Sequence, residues 1–590
     1  MDTVVDRFDA AAERFADRIA VQDATASLTY GELRRRVWSI ATAVNDRLDR
    51  PGPVVVLTPH EVSAAAAVLG VLASGRGVIP LDADHPDARN RLIAEQATAA
   101  GVVTTSALAG QARALVGADA VVHIDGLKSE GRPRPRPAPG DLACILYTSG
   151  STGAPKGVFH DHAGLLADIL HSLQGFELGP EDRAALLSPP AVYAGLRGWL
   201  GTLLSGAAAH ILAPRKLGAR GLVRELRARQ ITVFRSSAAL FRRVADAAGD
   251  SRIHSLRLVA LGGDRIDWTD YDAFRRICRP DAQFTSHIGA TECMVYAEWF
   301  VDDHARGDGG PLPIGRVVPG YDITLLDHGG APVAVGEVGE IVVESRRLAR
   351  GYWRDPQRTA EAFTARPDDP ELRSYRTGDL GRLRPDGLYE FIGRGDQQIK
   401  LRGFRVELGE IESALRGCPG VKDGAVVTRL GPDGGVRSLA AYVELTPDGS
   451  DLLPRHLLAM LSQKLPAHMV PAQVVILDSL PWLPNFKIDL QRLEALDADL
   501  EVGAADLDGD PATTAIAKAF EMILGLEGVG PDDDLMSLGG DSLQAVDIAL
   551  ELQQRLGIPI APEMLDISCP VGELADRLGL RGRSWPSGEA

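Results

Sequence analysis

Between Ile145 and Gly157 the chain reads ILYTSGSTGAPKG, an apolar run that passes into glycines, hydroxyl residues and one lysine. Thr148, Ser149, Gly150, Ser151, Thr152 and Gly153 can turn hydroxyls and backbone N–H groups onto a phosphate, and Lys156 adds a positive charge. The spacing is not that of an ordinary P-loop, because Pro155 separates Gly153 and Ala154 from Lys156 and no Ser or Thr follows the lysine. On composition alone a flexible surface loop is the alternative. A second candidate is Ser542, which follows Gly539, Gly540 and Asp541 and precedes an apolar-periodic stretch from Leu543 to Leu556. That context sets it at a helix start with its hydroxyl exposed, suited either to capping the helix or to carrying a covalent group.

Such residues need elements to position them. Short apolar strands at 53–58, 78–81, 101–104 and 120–124 are separated by helical patterns such as Ser63 to Ser74 and Asp87 to Ala100. Alternation of this kind predicts an α/β fold of parallel sheets flanked by helices. The rhythm continues through Ala143 to Tyr147, Ala207 to Leu212, Thr232 to Arg235 and Leu256 to Leu261, so the glycine-rich loop leaves the end of a buried strand. From residue 312 onward the pattern changes to short strands and tight turns, such as Gly336 to Gly339 and Arg384 to Gly387, which predicts a β-rich subdomain. A smaller α/β unit spans 397–495, with strands Gly424 to Thr428 and Leu439 to Leu445 and a helix from Pro454 to Lys464. Asp497 to Pro511, rich in Asp, Ala and Gly, reads as a linker into a last, acidic unit with three amphipathic patterns.

A chain of 590 residues is too long for one core, and 45% hydrophobic with 24% charged residues describes ordinary globular domains. A formal net charge of -17 argues against non-specific nucleic-acid binding, which needs clustered Lys and Arg. In the one basic run, 131–137, arginines alternate with prolines, the pattern of an extended solvated connector. No run approaches a membrane span, and the acidic first residues lack an export pattern, so a cytoplasmic enzyme is expected. Cys144, Cys278, Cys293, Cys418 and Cys569 lack metal-ligand spacing and predict reduced, mostly buried thiols.

The 145–157 run resembles the phosphate-binding signature of adenylate-forming enzymes: acyl-CoA ligases, luciferases and adenylation domains of nonribosomal peptide synthetases. Other motifs similar to that family follow in order. His287 to Glu292 resembles the loop in which Thr291 touches phosphate and Glu292 holds magnesium, a hard cation suited to oxygen ligands. Tyr375 to Asp379 resembles the segment whose carboxylate, here Asp379, accepts bonds from both ribose hydroxyls. Gly393 to Glu412 is the longest match and resembles the hinge between the large and small domains, with Asp396 as pivot and Arg394 as a nucleotide contact. Pro484 to Asp489 resembles the C-terminal motif whose lysine, here Lys487, enters the active site, although Phe486 replaces the usual glycine. Gly262 falls among the nucleotide-binding positions, and the last unit resembles a carrier domain in which Ser542 bears 4'-phosphopantetheine.

The resemblance implies an adenylation core at 1–394, a small mobile α/β subdomain at 395–496, a linker at 497–511, a helical-bundle carrier domain at 512–580 and a tail at 581–590. It implies ATP and magnesium as cofactors of a reaction in which a carboxylate displaces pyrophosphate and a carrier thiol then takes the acyl group. Lys487, Glu292 and Thr291 would serve the chemistry, and Thr148, Ser149, Thr152 and Lys156 the departing pyrophosphate. A phosphopantetheinyl transferase, and a downstream enzyme acting in trans, are the implied partners; a small activating partner protein is left open. The rivals are a ligase releasing a free CoA thioester and a non-catalytic carrier scaffold.

The substrate pocket departs from the family. Where amino-acid-activating members place an aspartate for the α-ammonium group, counting back from the Leu203-Leu-Ser-Gly-Ala207 segment puts Tyr193. A substrate α-ammonium would lose its counter-ion, and an unpaired buried charge costs several kcal/mol. The same ungapped count puts Ala194, Arg197, Arg235, Val259, Leu261, His287, Val295 and Tyr296 in the pocket. Arg197 and Arg235 repel unless an anion sits between them, so the expected substrate is a small acid without a standard α-amino group and with a second anionic group. The alternative is that one arginine faces solvent and the pocket holds a neutral or aromatic acid.

Overall fold

The computed structural model describes residues 2–127, 136–150, 154–301, 311–395, 398–401, 403–431, 435–449, 451–481, 488–500, 511–524, 526, 528–536, 538, 540, 542–556, 560, 564–565 and 569–580. Residues 1–212, 225–410 and 463–466 form one compact unit, and residues 213–224, 411–462 and 467–590 form the other.

In the first unit the strands Val54–Thr58, Val78–Asp82, Gly101–Thr104 and Leu142–Thr148 belong to a seven-stranded sheet in parallel pairings, with Lys156–Asp161 antiparallel beside the last. Arg183–Leu186, Val233–Ser236, Leu258–Gly262 and Gln283–Ala290 run parallel in a nine-stranded sheet, where Met294–Phe300 pairs antiparallel with the last of them. Runs such as VVVLT are buried along their whole length, because helices cover both faces of a parallel sheet. Tyr30–Arg47, Val62–Ala73, His162–Gly175 and Tyr193–Ser205 share one hydrophobic cluster with strands of both sheets. Val62–Ala73 is apolar on every side, as this position between sheets demands. A Cβ at Gly70 would come within 2.6 Å of Ile40, so only glycine lets these two helices close up.

The expected β-rich subdomain is present as an antiparallel sheet of Tyr321–Leu326, Val338–Ser345, Phe363–Arg366, Asp369–Leu383 and Tyr389–Arg394. A two-stranded hairpin, Gln398–Leu401 with Phe404–Glu407, follows it. Contacts keep this hairpin with the first unit, beyond the boundary at 394 that the resemblance implies.

In the second unit Val421–Leu430 and Val436–Leu445 pair antiparallel, and Gln473–Leu477 lies parallel to the latter. The helix Leu490–Leu500 carries on past the composition-based start of the linker at Asp497. Its Leu493 is fully buried, and Asp497 accepts from Arg429 Nε at 2.7 Å, Arg429 Nη2 at 2.8 Å and Tyr442 Oη at 2.7 Å. A residue that looks like linker by composition is thus an anchor. Pro511–Leu524, Ser542–Leu556 and Val571–Arg577 then pack around Ile516, Phe520, Ile548, Leu552 and Leu574, the expected small helical bundle. All five cysteines are buried and none is in a disulfide. No helix among the described residues is long and apolar enough to cross a membrane.

Candidate active site

The glycine-rich segment connects the antiparallel strands Leu142–Thr148 and Lys156–Asp161 at the C-terminal end of the former. Of its predicted residues, Thr148, Ser149, Gly150 and Lys156 are described, and Ser151, Thr152 and Gly153 lie outside the described residues. Thr148 Oγ1 is buried without a hydrogen-bond partner among the described residues. Ser149 Oγ donates to the Arg405 carbonyl at 2.8 Å, and the Gly150 N–H donates to Glu410 Oε2 at 3.3 Å. A Cβ at Gly150 would sit 2.1 Å from the Ala154 carbonyl oxygen, so the loop's path requires glycine there.

Glu292 is fully buried at the start of the return from strand Gln283–Ala290 to Met294–Phe300. Lys156 Nζ lies 3.0 Å from its Oε1, Tyr352 Oη donates to the same oxygen at 3.1 Å, and Arg405 Nη1 donates to Oε2 at 2.9 Å. Burial alone would raise this carboxyl, but the charges of Arg405 and then Lys156 outweigh it and hold Glu292 well below the ordinary carboxylate range. The neighbouring Thr291 offers its carbonyl to His160 Nε2 at 2.9 Å.

Asp379 and Arg394 are cross-strand partners, with Arg394 Nη1 donating to Asp379 Oδ1 at 2.6 Å and Nη2 to the Thr377 carbonyl at 3.2 Å. The two predicted nucleotide contacts therefore meet. Gly262 pairs with His287 across strands, and a Cβ there would lie 2.4 Å from His287 Nε2. A cleft beside them is lined by Gly263, Asp264, Ile266, Ser286, His287 and Lys400. Asp396 and Lys487 lie outside the described residues, and of Ser542 only the backbone, at the first position of its helix, is described.

The pocket residues divide. Tyr193 Oη donates to Asp168 Oδ2 at 2.5 Å and Arg197 Nε donates to the same oxygen at 2.7 Å. Asp168, on the helix His162–Gly175 and 2% exposed, was not among the predicted residues, and it supplies Arg197 with a counter-ion from within the protein. Arg235 has no such bond. The residue as a whole keeps some exposure, but Nη1 and Nη2 are buried without hydrogen-bond partners among the described residues, as is Arg197 Nη2. The Arg235 guanidinium lies 5.4 Å from the Phe176 ring centroid, and burial followed by the Arg197 charge pushes it down to about 9. His287 pairs with Glu298, which has His171 Nε2 at 3.4 Å.

Register separates the remaining positions. Arg235 pairs with Ala260, so Ala260 and Gly262 share its face, and Val259 and Leu261, alternating with them, point to the other face. Ala194 is exposed. Val295 and Tyr296 belong to a cluster with Val158, Ile288, Tyr321 and Tyr375, and Tyr296 Oη has no hydrogen-bond partner among the described residues. The structure thus gathers Tyr193, Arg197, Arg235 and His287 near Asp168 and Glu298, and leaves Ala194, Val259 and Leu261 outside that group.

The groups present fit the implied cofactors. Magnesium is commonly held by one or two carboxylates together with substrate phosphates, and Glu292 beside a phosphate-type loop is such a donor. Among the described residues no cluster of three or more His, Cys, Asp or Glu could hold a metal by itself. Asp379 is a buried carboxylate of the kind that could accept from ribose hydroxyls, and the helix start at Ser542 suits an attached arm.

The family described as AMP-binding enzyme matches residues 8–353, the AMP-binding enzyme C-terminal domain matches 410–487, and the phosphopantetheine attachment site matches 514–578. Among curated relatives, tyrocidine synthase 2 of Brevibacillus parabrevis is 30% identical over 97% of this chain, and phosphinothricin tripeptide synthetase PhsC of Streptomyces viridochromogenes is 33% identical over 96%. The chain spans 16% of the first of these relatives and 52% of the second. A solved structure of holo-PA1221, described as an NRPS protein containing adenylation and PCP domains bound to a vinylsulfonamide inhibitor, is 27% identical with a TM-score of 0.79, covering 98% of this chain and 97% of its own. The amide bond synthetase McbA from Marinactinospora thermotolerans is 26% identical with a TM-score of 0.74, covering 84% and 99%. With a buried Glu292 facing Lys156, Asp379 facing Arg394 and a carrier-type helix opening at Ser542, this chain belongs to the AMP-binding enzyme family and carries that family's C-terminal domain and a phosphopantetheine attachment site.

Proposed function

We propose that this chain is an adenylating ligase that activates a small carboxylic acid with ATP and loads the acyl group onto its own carrier domain. A carboxylate oxygen of the acid attacks the α-phosphorus, the bond to the bridging oxygen breaks, and pyrophosphate leaves. Lys156 and the loop from Thr148 to Gly153 receive the negative charge of the departing pyrophosphate, and Asp379 with Arg394 holds the ribose end. Glu292 is the residue that would hold magnesium, which when bound would neutralise charge at the phosphates. Lys487 serves the attacking carboxylate, and Asp396 is the pivot that withdraws it. In the second step a thiol attacks the acyl carbon and AMP leaves; the arm attached to Ser542 supplies that thiol when present. A phosphopantetheinyl transferase must attach the arm, and a further enzyme must take the acyl group in trans. The observation that carries this reading is the Glu292–Lys156 pair beside the phosphate-type loop, in one chain with a carrier-type helix that opens on Ser542.

The acid lacks a standard α-ammonium group and bears a second anionic group. Tyr193 stands where a carboxylate would be needed, and the nearby Asp168 oxygen already accepts from Tyr193 and Arg197. Because Asp168 neutralises Arg197, the second anion belongs mainly to Arg235, whose buried Nη1 and Nη2 are the open donors. Acid-dependent pyrophosphate release, followed by intact-protein mass after phosphopantetheinylation, tests both parts with succinate, malate, aspartate, salicylate and aliphatic acids. The expected result is an acyl mass on the wild-type chain and none on Ser542→Ala, which still releases pyrophosphate. Free CoA thioester without protein-bound acyl mass favours the CoA-ligase rival, and best activity with a neutral α-amino acid rules out the pocket reading.

A further inference from the structure

Glu292 is fully buried and both of its oxygens are engaged. Lys156 Nζ and Tyr352 Oη share Oε1, at 3.0 and 3.1 Å, and Arg405 Nη1 takes Oε2 at 2.9 Å. The lysine and the tyrosine come from elements that frame the loop. Arg405 comes from elsewhere, the hairpin of Gln398–Leu401 and Phe404–Glu407. It is braced there, with Nε donating to Gln398 Oε1 at 2.6 Å and Tyr375 bonded to its side chain. The same hairpin touches the phosphate-type loop, since the Arg405 carbonyl accepts from Ser149 Oγ at 2.8 Å, and it is held from another side by the Gly403 N–H donating to Asp264 Oδ1 at 2.8 Å.

Lys156 and Tyr352 hold Oε1, so a divalent ion would have to take Oε2, the oxygen that Arg405 occupies, and a doubly charged ion beside that guanidinium is strongly repelled in a dry site. Leaving Oε2 without a partner is also costly, since a buried charged oxygen that loses its hydrogen bond is destabilising even while Lys156 stays on Oε1. Resting on the reading of Glu292 as the magnesium residue, we infer that Arg405 and the metal compete for Glu292: seating of the 398–407 hairpin displaces the divalent ion, and the ion unseats the hairpin. Arg405 is a positioning residue in this account. It replaces one positive charge by another at Oε2, so that this oxygen is engaged whether or not metal is bound, and it links departure of the metal to placement of the hairpin beside Ser149. Linkage makes the effect reciprocal: whatever Arg405 costs the metal, the metal costs the hairpin.

The test uses the full chain with Mn2+ and α,β-methylene-ATP, reading free Mn2+ by electron paramagnetic resonance. Glu292→Gln should weaken Mn2+ binding about ten-fold or more. Arg405→Met should tighten it about five-fold or more, and Arg405→Lys by less. In the wild type, hydrogen exchange across 398–407 should speed up when Mn2+ joins the analogue, relative to the analogue with EDTA; this readout needs no variant to fold. Unchanged or weaker Mn2+ binding in the Arg405 variants, or no faster exchange in the hairpin, overturns the competition while a weakened Glu292→Gln keeps the metal assignment. Wild-type Mn2+ affinity in Glu292→Gln overturns both.

Discussion

Replacing Arg235 by methionine should make the acid-free protein more stable and a poorer enzyme. Burial, and then the Arg197 charge, lowers the Arg235 guanidinium from its ordinary 12.5 to about 9. The folded state therefore disfavours the charged form relative to the unfolded chain at every pH below about 9. The displacement corresponds to about 5 kcal/mol at 1.36 kcal/mol for each pH unit, an upper bound once residual solvent access is allowed for. Methionine keeps most of the apolar contact with Phe176 and has no charge to desolvate, so a net gain of about 1–2 kcal/mol is expected, or a melting temperature higher by roughly 2 °C or more. The acid carrying the second anion loses two charge-assisted donors, about 3 kcal/mol, and kcat/KM for it should fall about a hundred-fold. Thermal melts with and without succinate or malate read the first effect, and acid-dependent pyrophosphate release reads the second. Acid should raise the melting temperature of the wild type and leave that of the variant unchanged. A variant that melts lower without acid, or that keeps its kcat/KM for the preferred acid, refutes the reasoning.

His160 sets a pH dependence. Burial pushes it down to about 4 in spite of the Thr291 carbonyl and Asp161, whereas an unfolded histidine titrates near 6.5. Its neutral form is the folded one, so its contribution is complete above pH 6.5 and is lost as the pH falls toward 4, by about 2 kcal/mol at pH 5. Urea midpoints at pH 7 and pH 5 should therefore move less in His160→Gln than in the wild type; equal movement counts against this assignment. Asp497→Asn should destabilise the sheet that holds the helix Leu490–Leu500 by about 3 kcal/mol or more, because it breaks a buried pair. Limited proteolysis of that region and calorimetry measure the loss, and a wild-type transition would show that the pair is not needed.

The motifs were legible because each is a short run in which neighbouring residues serve one ligand: Thr148 to Lys156, His287 to Glu292 and Tyr375 to Asp379 are read without knowing the fold. The parallel strands were legible for a similar reason, since VVVLT and GVVT are apolar along their length and lie where both faces are covered. The pocket was only partly legible. An ungapped count can slip by one residue and so turn a strand over: it gives Val259 and Leu261, whereas pairing of Arg235 with Ala260 puts Ala260 and Gly262 on the face of Arg235. Asp168 lies in none of the recognised motifs. It is the one acid on a mostly apolar helix, and its partners lie 25 and 29 residues away. An acid within an apolar helical run is nevertheless a mark of a buried partner, and that mark was available at His162–Gly175. Arg405 stood inside a quoted motif, but its bond to Glu292 spans 113 residues and depends on where the hairpin sits.

The lock between Asp497, Arg429 and Tyr442 bears on how this protein can be recombined with others. Composition suggests cutting at Asp497, where the acidic, glycine-containing stretch begins. A chimera joined there would discard the carboxylate that accepts from Arg429, 7% exposed, and from Tyr442, and would inherit a weakened small domain whatever carrier was attached. A junction placed after Leu500 keeps the helix whole and leaves the splice in the segment between the two folded pieces.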